Sequence, residues 1–244
     1  MPIIGLTSGF AYETVPPVSP RALRLCRRVG CRAVEINCVG GKAEAERLDD
    51  IDLSDVRAFD HVSIHAPCRN TRFADDQATR DLLGKIERAC ARLRIDLVVF
   101  HPDLIDDWNV FSEFDIPIAI ENLDNRKKSY RDVCDLKSAF DKFDCRFVLD
   151  INHCFANDPT LKLASEMIRV FGDRLAEIHV SGYQGYHELL YRTKQTKILD
   201  AIYTLDAPMI IESACPDPER DARKELNYIK KYFRKKDRRE RRWM

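Results

Sequence analysis

The chain has 244 residues, 45% of them apolar, equal numbers of acidic and basic side chains, and nine cysteines without a Cys-x-x-Cys pair. No run approaches the roughly 18 apolar residues a membrane-spanning helix needs, and Met1–Pro2–Ile3–Ile4–Gly5 has no basic segment leading into an apolar one. One large domain is expected, cytoplasmic, with reduced and mostly buried thiols.

Eight short apolar runs follow one another along the chain: Ile3–Thr7, Ala33–Asn37, His61–His65, Leu97–His101, Pro117–Glu121, Arg146–Asp150, Ala176–Val180 and Pro208–Glu212. Each has the length and bounding residues of a buried strand. Amphipathic patterns between them predict helices over Pro20–Val29, Asp75–Leu93, Ser129–Phe143 and Pro159–Phe171. Leu199–Leu205 reads as the end of a seventh helix and Pro218–Phe233 as an eighth, with Leu226, Ile229 and Phe233 at core-facing spacing. Between Phe100 and Pro117 only Ile105–Phe114 is free for a helix, so a short or irregular turn is expected there. Strand and helix alternating eight times, with no block of hairpins, predicts an α/β protein, a single (β/α)8 TIM barrel. The barrel is assigned to residues 1–233 and a basic C-terminal tail to 234–244.

In such a barrel the chemistry sits where the strands end. The third and fourth runs end in His65 and His101, the fifth in Glu121, the sixth in Asp150 and the eighth in Glu212, while the seventh carries His179. Of six histidines only His61, at the opposite end of its strand, stands apart. Buried, unpaired groups of this kind cost about 2–7 kcal/mol or more each, and one or two cations would satisfy the set. Asp150, followed three residues on by His153, reads either as a helix cap or as half of a metal site. Glu35 faces the barrel interior and is expected in an ion pair with a neighbouring strand. Cys68, Cys154 and Cys215 fall beyond strand ends and read as packing residues. Asp124, Arg126 and Lys128 form loop charge able to meet a phosphate, and Tyr183 and Tyr186 stand near the mouth. No Gly-rich phosphate loop, nucleophile elbow or His-x-His on the first strand is present.

His65–Ala66–Pro67, His101–Pro102, Glu121–Asn122, Asp150-x-x-His153 with Phe155–Ala156, His179 and Glu212 occur in an order that resembles the xylose isomerase-like superfamily of sugar isomerases, epimerases and endonuclease IV-like proteins. The resemblance implies that Glu121, Asp150, His179 and Glu212 hold one divalent cation, that Glu121 and Glu212 also transfer protons, and that His153 contacts substrate. In its endonuclease IV-like branch it implies His65 and His101 as further ligands, with Glu121 bridging. A third zinc there takes His153 and an Asp-x-His; His187 matches that histidine, but Gly185 stands where the aspartate belongs. Asn122 and His187 are assigned with His153 to substrate binding.

Two carboxylates beside a cation suit removal and return of a carbon-bound proton, as in isomerisation or epimerisation of a sugar. Three carboxylates and an imidazole suit Mn, Mg, Co or Zn. Two metals sharing Glu121 would instead suit phosphodiester cleavage at abasic DNA. A metal- or sugar-binding barrel without catalysis is the third alternative. Residues 223–244 hold eleven Lys or Arg against three Asp or Glu, and the remainder is acidic by the same margin. That tail is either a solvated helix end or a contact for nucleic acid. No membrane contact is expected, and pairing into a homodimer is left open.

Overall fold

The computed structural model describes residues 2–240. Eight parallel strands form a closed barrel in chain order: β1 Ile4–Thr7, β2 Ala33–Asn37, β3 His61–His65, β4 Leu97–Phe100, β5 Ile118–Glu121, β6 Arg146–Asp150, β7 Leu175–Val180 and β8 Met209–Ile211. β8 closes onto β1 through Gly5 opposite Ile210. The β1–β2 seam is so tight that a Cβ on Gly5 would lie 1.8 Å from Ala33 O, so only glycine fits there.

Helices lie outside the ring where the periodicity places them, trimmed at their starts by side-chain caps. Ser19 Oγ accepts from Ala22 N at 3.2 Å to start Pro20–Val29, and Gly30, at φ 98°, ends it. Asp76 starts Gln77–Leu93 by accepting from Thr79 N at 2.7 Å. Asp132 likewise starts Val133–Phe140 at Asp135 N. Lys162–Phe171 starts three residues after the expected Pro159, and Thr196–Ile202 ends three before the expected Leu205.

The segment between β4 and β5 holds no α-helix, only single turns at Pro102–Leu104 and Asn109–Glu113. Aromatic packing covers the gap. Phe100 and Phe111 lie with ring centroids 5.0 Å apart and Phe73 and Phe100 5.1 Å apart, all three buried.

The last helix, Pro218–Glu240, runs through the expected boundary at 233/234. Leu226, Ile229 and Phe233 are buried as their spacing requires. Beyond them Lys236 pairs with Asp200, and Tyr203 Oη donates to Asp237 Oδ1 at 2.7 Å. The first part of the basic tail is thus docked helix; residues 241–244 lie outside the described residues. Among the described residues no helix is long and apolar enough to cross a membrane.

Strand alternation sends Ile36, Ile64, Val98, Ile120, Leu149 and Ile178 outward under the helices. Inside the ring Leu97, Val99, Ala119, Val148 and Ala176 form a small separate apolar cluster. Barrel interiors are usually filled with branched apolar residues. This one also carries Glu35, Ser63, Glu177 and His179, all fully buried.

Candidate metal centre

Glu121, Asp150 and Glu212 stand at or just beyond the C-terminal ends of β5, β6 and β8, and His179 lies one residue inside the end of β7. One ligand atom from each of the four falls within 4.8 Å of all the others. His179 Nδ1 is 3.0 Å from Glu121 Oε1 and 3.4 Å from Glu212 Oε1. Those separations match the edges of a coordination shell with metal–ligand bonds of about 2.0–2.2 Å. Glu121 Oε2 and Asp150 Oδ2 are buried without a hydrogen-bond partner. Orphaned carboxylate oxygens are costly unless a cation takes them, so the donor set fits a divalent metal ion.

Both sequence readings of Asp150 hold at once. Its Oδ1 caps the helix Ile151–Asn157 by accepting from His153 N at 2.8 Å, while Oδ2 is left facing the site. Asn122 sets the backbone beneath it. Asp150 N donates to Asn122 Oδ1 at 2.8 Å, and Asn122 Nδ2 donates to Asp150 O at 2.9 Å. The sequence places Asn122 either against Glu121 or at the substrate; in the structure it is fully buried behind the site, and both ends of its amide are taken by the β6 terminus.

His65 and His101 are drawn to the other oxygen of Glu121. Their Nε2 atoms lie 3.6 and 3.1 Å from Oε2. His153 and His187 stand on the opposite flank, ring centroids 5.5 Å apart, and group with Asp150. His187 Nδ1 is 3.0 Å from Ser181 Oγ and 3.7 Å from Glu212 Oε2. Gly185 adopts φ 136°, a conformation that disfavours an aspartate, and no neighbour lies within 4 Å of where its Cβ would be. Asp124 places a carboxylate on this flank: its Oδ2 is 3.8 Å from His153 Nε2 and also pairs with Arg126.

Under this ring lies a second layer. His179 Nε2 is 3.0 Å from Glu177 Oε1 and 3.2 Å from Glu35 Oε2, which leaves Nδ1 to face the acidic ring. Glu177 Oε2 is in turn 2.6 Å from His61 Nε2. Glu35 thus pairs with His179 across the barrel, while His65 on the adjacent β3 also lies within 4.8 Å of it. His61, the histidine out of place in the sequence, anchors this layer from below.

The electrostatics follow. Burial pushes Glu121 up, but the His179 and His101 imidazoles outweigh it and hold it well below the usual carboxylate range. Glu212 moves the other way: burial, reinforced by the carboxylates of Asp150, Glu121 and Glu35, raises it despite His179. Burial brings His187 down to about 3, aided by His153. Cys68 would be raised by burial, yet His101 and His65 beside it bring it down to about 6.

Above the ring opens a cavity of about 440 Å³, within the size range of small-molecule sites. His65, His101, Glu121, His153, His187 and Glu212 form its floor. Thr7, Asn37, Arg69, Arg126, Lys127 and Tyr186 are among its walls. Arg126 lies over the Tyr186 ring at 4.8 Å.

No protein-family model and no curated protein sequence matches the chain. Solved structures do. A D-tagatose 3-epimerase-like protein superposes with a TM-score of 0.65 at 16% identity, over 97% of this chain and 98% of the other. An L-ribulose 3-epimerase gives a TM-score of 0.65 at 13% identity, over 99% and 97%. A xylose isomerase domain-containing protein from Salmonella typhimurium gives 0.63 at 15% identity, over 95% and 97%. The chain shares the closed (β/α)8 barrel fold of these proteins.

Within that barrel, the other five residues expected to ligate metal gather about Glu121. Two neighbours of the site are not assigned to it from sequence. Glu177 carries a signal, since it sits two residues before His179 and so on the same strand face. Cys68 carries one too, three residues after His65, but only the fold brings His101 beside both.

Proposed function

We propose that the protein is a divalent-metal-dependent isomerase or epimerase of a sugar or sugar-like polyol. The observation that carries this reading is that Glu121 and Glu212 belong to one four-residue donor set and also line the floor of a small-molecule cavity. Glu121, Asp150, His179 and Glu212 would hold the cation, with Mn, Mg, Co or Zn all compatible with the donors. Bound there, the cation would polarise a substrate carbonyl or hydroxyl. Glu121 and Glu212 take and return the carbon-bound proton, and His153, on the cavity floor, positions a substrate hydroxyl. The shared fold with sugar 3-epimerases supports the same substrate class.

The test is proton exchange. The metal-loaded protein, incubated with a ketose and aldose panel in D₂O, is expected to incorporate deuterium at one carbon and to interconvert two sugars. Absence of exchange on every sugar would overturn the reading.

A second reading rests on the approach of His65 and His101 to Glu121 Oε2. It is an endonuclease IV-like zinc phosphodiesterase, for which cleavage of an abasic-site duplex is the assay. The same duplex, titrated against salt with the full chain and with residues 234–244 removed, tests nucleic-acid binding by the basic tail. Metal binding with neither activity would mark a catalytically lapsed binding barrel.

A further inference from the structure

The isomerase reading leaves Cys68 without a role. Its position follows from the path of the chain after β3. Cys68 N donates to Val39 O at 3.3 Å, which folds Ala66–Pro67–Cys68 back over the barrel mouth. The sulfur comes to 3.8 Å from His65 Nδ1. One ring nitrogen of His65, one of His101 and the Cys68 sulfur all lie within 4.8 Å of one another. The two rings pack edge to face at 5.0 Å, and His101 Nδ1 is buried with no hydrogen-bond partner.

A cysteine that merely packs has different company. Cys154 is fully buried, with Met167 Sδ at 3.6 Å and the Asn122 amide at 3.4 Å, and no imidazole beside it. Cys68 has two imidazoles and, besides His65, only a weak S–H contact to Ala66 O at 3.4 Å.

His65 and His101 are the further ligands that the endonuclease IV-like resemblance implies; we propose that Cys68 is a third ligand beside them, making a bis-imidazole thiolate site that takes zinc or another borderline divalent cation. The donor set differs in kind from the carboxylate-rich ring next to it. Thiolate and imidazole favour zinc over magnesium or manganese, while carboxylates accept the harder ions. Three protein ligands leave one position open, the pattern of catalytic rather than structural zinc. Binding releases the thiol proton to solvent. Glu121 Oε2, 3.1 Å from His101 Nε2, places this site against the first. The proposal goes beyond the sugar reading and does not depend on it.

Cobalt titration of the metal-stripped full chain tests it. A sulfur-to-cobalt charge-transfer band is expected to grow to saturation at one equivalent per chain and to survive excess magnesium. Cys68→Ser should abolish the band and leave metal binding at the carboxylate ring, whereas Cys134→Ser, at the exposed thiol, should retain it. With zinc in place of cobalt, X-ray absorption should show one sulfur neighbour at about 2.3 Å. Should Cys68→Ser fail to fold, His101→Gln, which keeps the thiol, is expected to weaken the band-forming site at least tenfold. No band in the wild-type protein at saturating cobalt, or a band that persists in folded Cys68→Ser, would overturn the site whether or not any sugar is turned over.

Discussion

His61 Nε2 and Glu177 Oε2 lie 2.6 Å apart inside the barrel, and the other Glu177 oxygen lies 3.0 Å from His179 Nε2. This carboxylate, fully buried, accepts from His179 Nε2, and with a cation in the acidic ring Nδ1 would be the nitrogen free to ligate it. Replacing Glu177 by Ala is expected to lower metal affinity about 10–100-fold, the usual cost of losing such a partner. Glu177→Gln, which can still accept from His179 through its carbonyl, should recover most of it. Isothermal titration of the two variants with manganese makes the comparison, and equal affinities for Ala and Gln would contradict the positioning role.

The same pair links stability to pH. Burial raises Glu177, but hydrogen bonds from His179 and His61 outweigh it and bring it down to about 2. A carboxyl held below its unfolded value of about 4.3 stabilises the fold above that pH, and the stabilisation is lost as pH falls toward about 2. His61 works in the opposite sense. Burial lowers it, Glu177 more than compensates, and its value ends above the ordinary one. Its contribution is full below about 6.5 and is lost as pH rises through the folded value. Urea midpoints of metal-stripped protein should therefore fall less steeply between about pH 4.3 and 2 in Glu177→Gln than in the wild type, and more evenly above about 6.5 in His61→Gln. An unchanged acid limb in Glu177→Gln would count against the linkage.

Asn122 holds the end of β6 by two hydrogen bonds to the backbone of Asp150. Asn122→Ala would leave a buried N–H and C=O unpaired, at about 1–3 kcal/mol each. Expected is a fall in unfolding free energy of about 2–6 kcal/mol together with weaker metal binding. A variant as stable as the wild type would show that water or another donor replaces the amide.

Glu212 and Glu121 sit in one donor set yet are driven apart in acidity by their neighbours. Glu212→Gln keeps shape and an oxygen donor but removes the exchangeable carboxyl. It should depress proton exchange on the active sugar by about 10²–10⁴-fold while one metal ion is still bound. A variant with normal exchange would remove Glu212 from the chemistry.

Phe111 stands where a helix would otherwise cover β4 and β5, packed on Phe100 and Phe73. Phe111→Ala is expected to cost about 3–5 kcal/mol, measured by urea unfolding. A loss below about 1 kcal/mol would mean that the two short turns hold the segment without this packing.

Amino-acid order alone determined the architecture and most of the centre. A strand buried on both faces must be a short apolar run, and a crossover helix must show a stripe, so Ala33–Asn37, His61–His65 and Arg146–Asp150 are legible to the residue. Once those runs are strands of one ring, chemistry at their ends must converge, and Glu121, Asp150, His179 and Glu212 follow. The partners of those groups belonged to the fold. Glu177 finds His61 across a gap of 116 residues, Glu35 finds His179 across the barrel, and Cys68 meets His101 only because β3 and β4 lie side by side. Local order sets periodicity and caps, because those are one-dimensional. Which polar group satisfies which inside a closed ring depends on tilt, register and where each turn folds back, and these exist only once the barrel has closed.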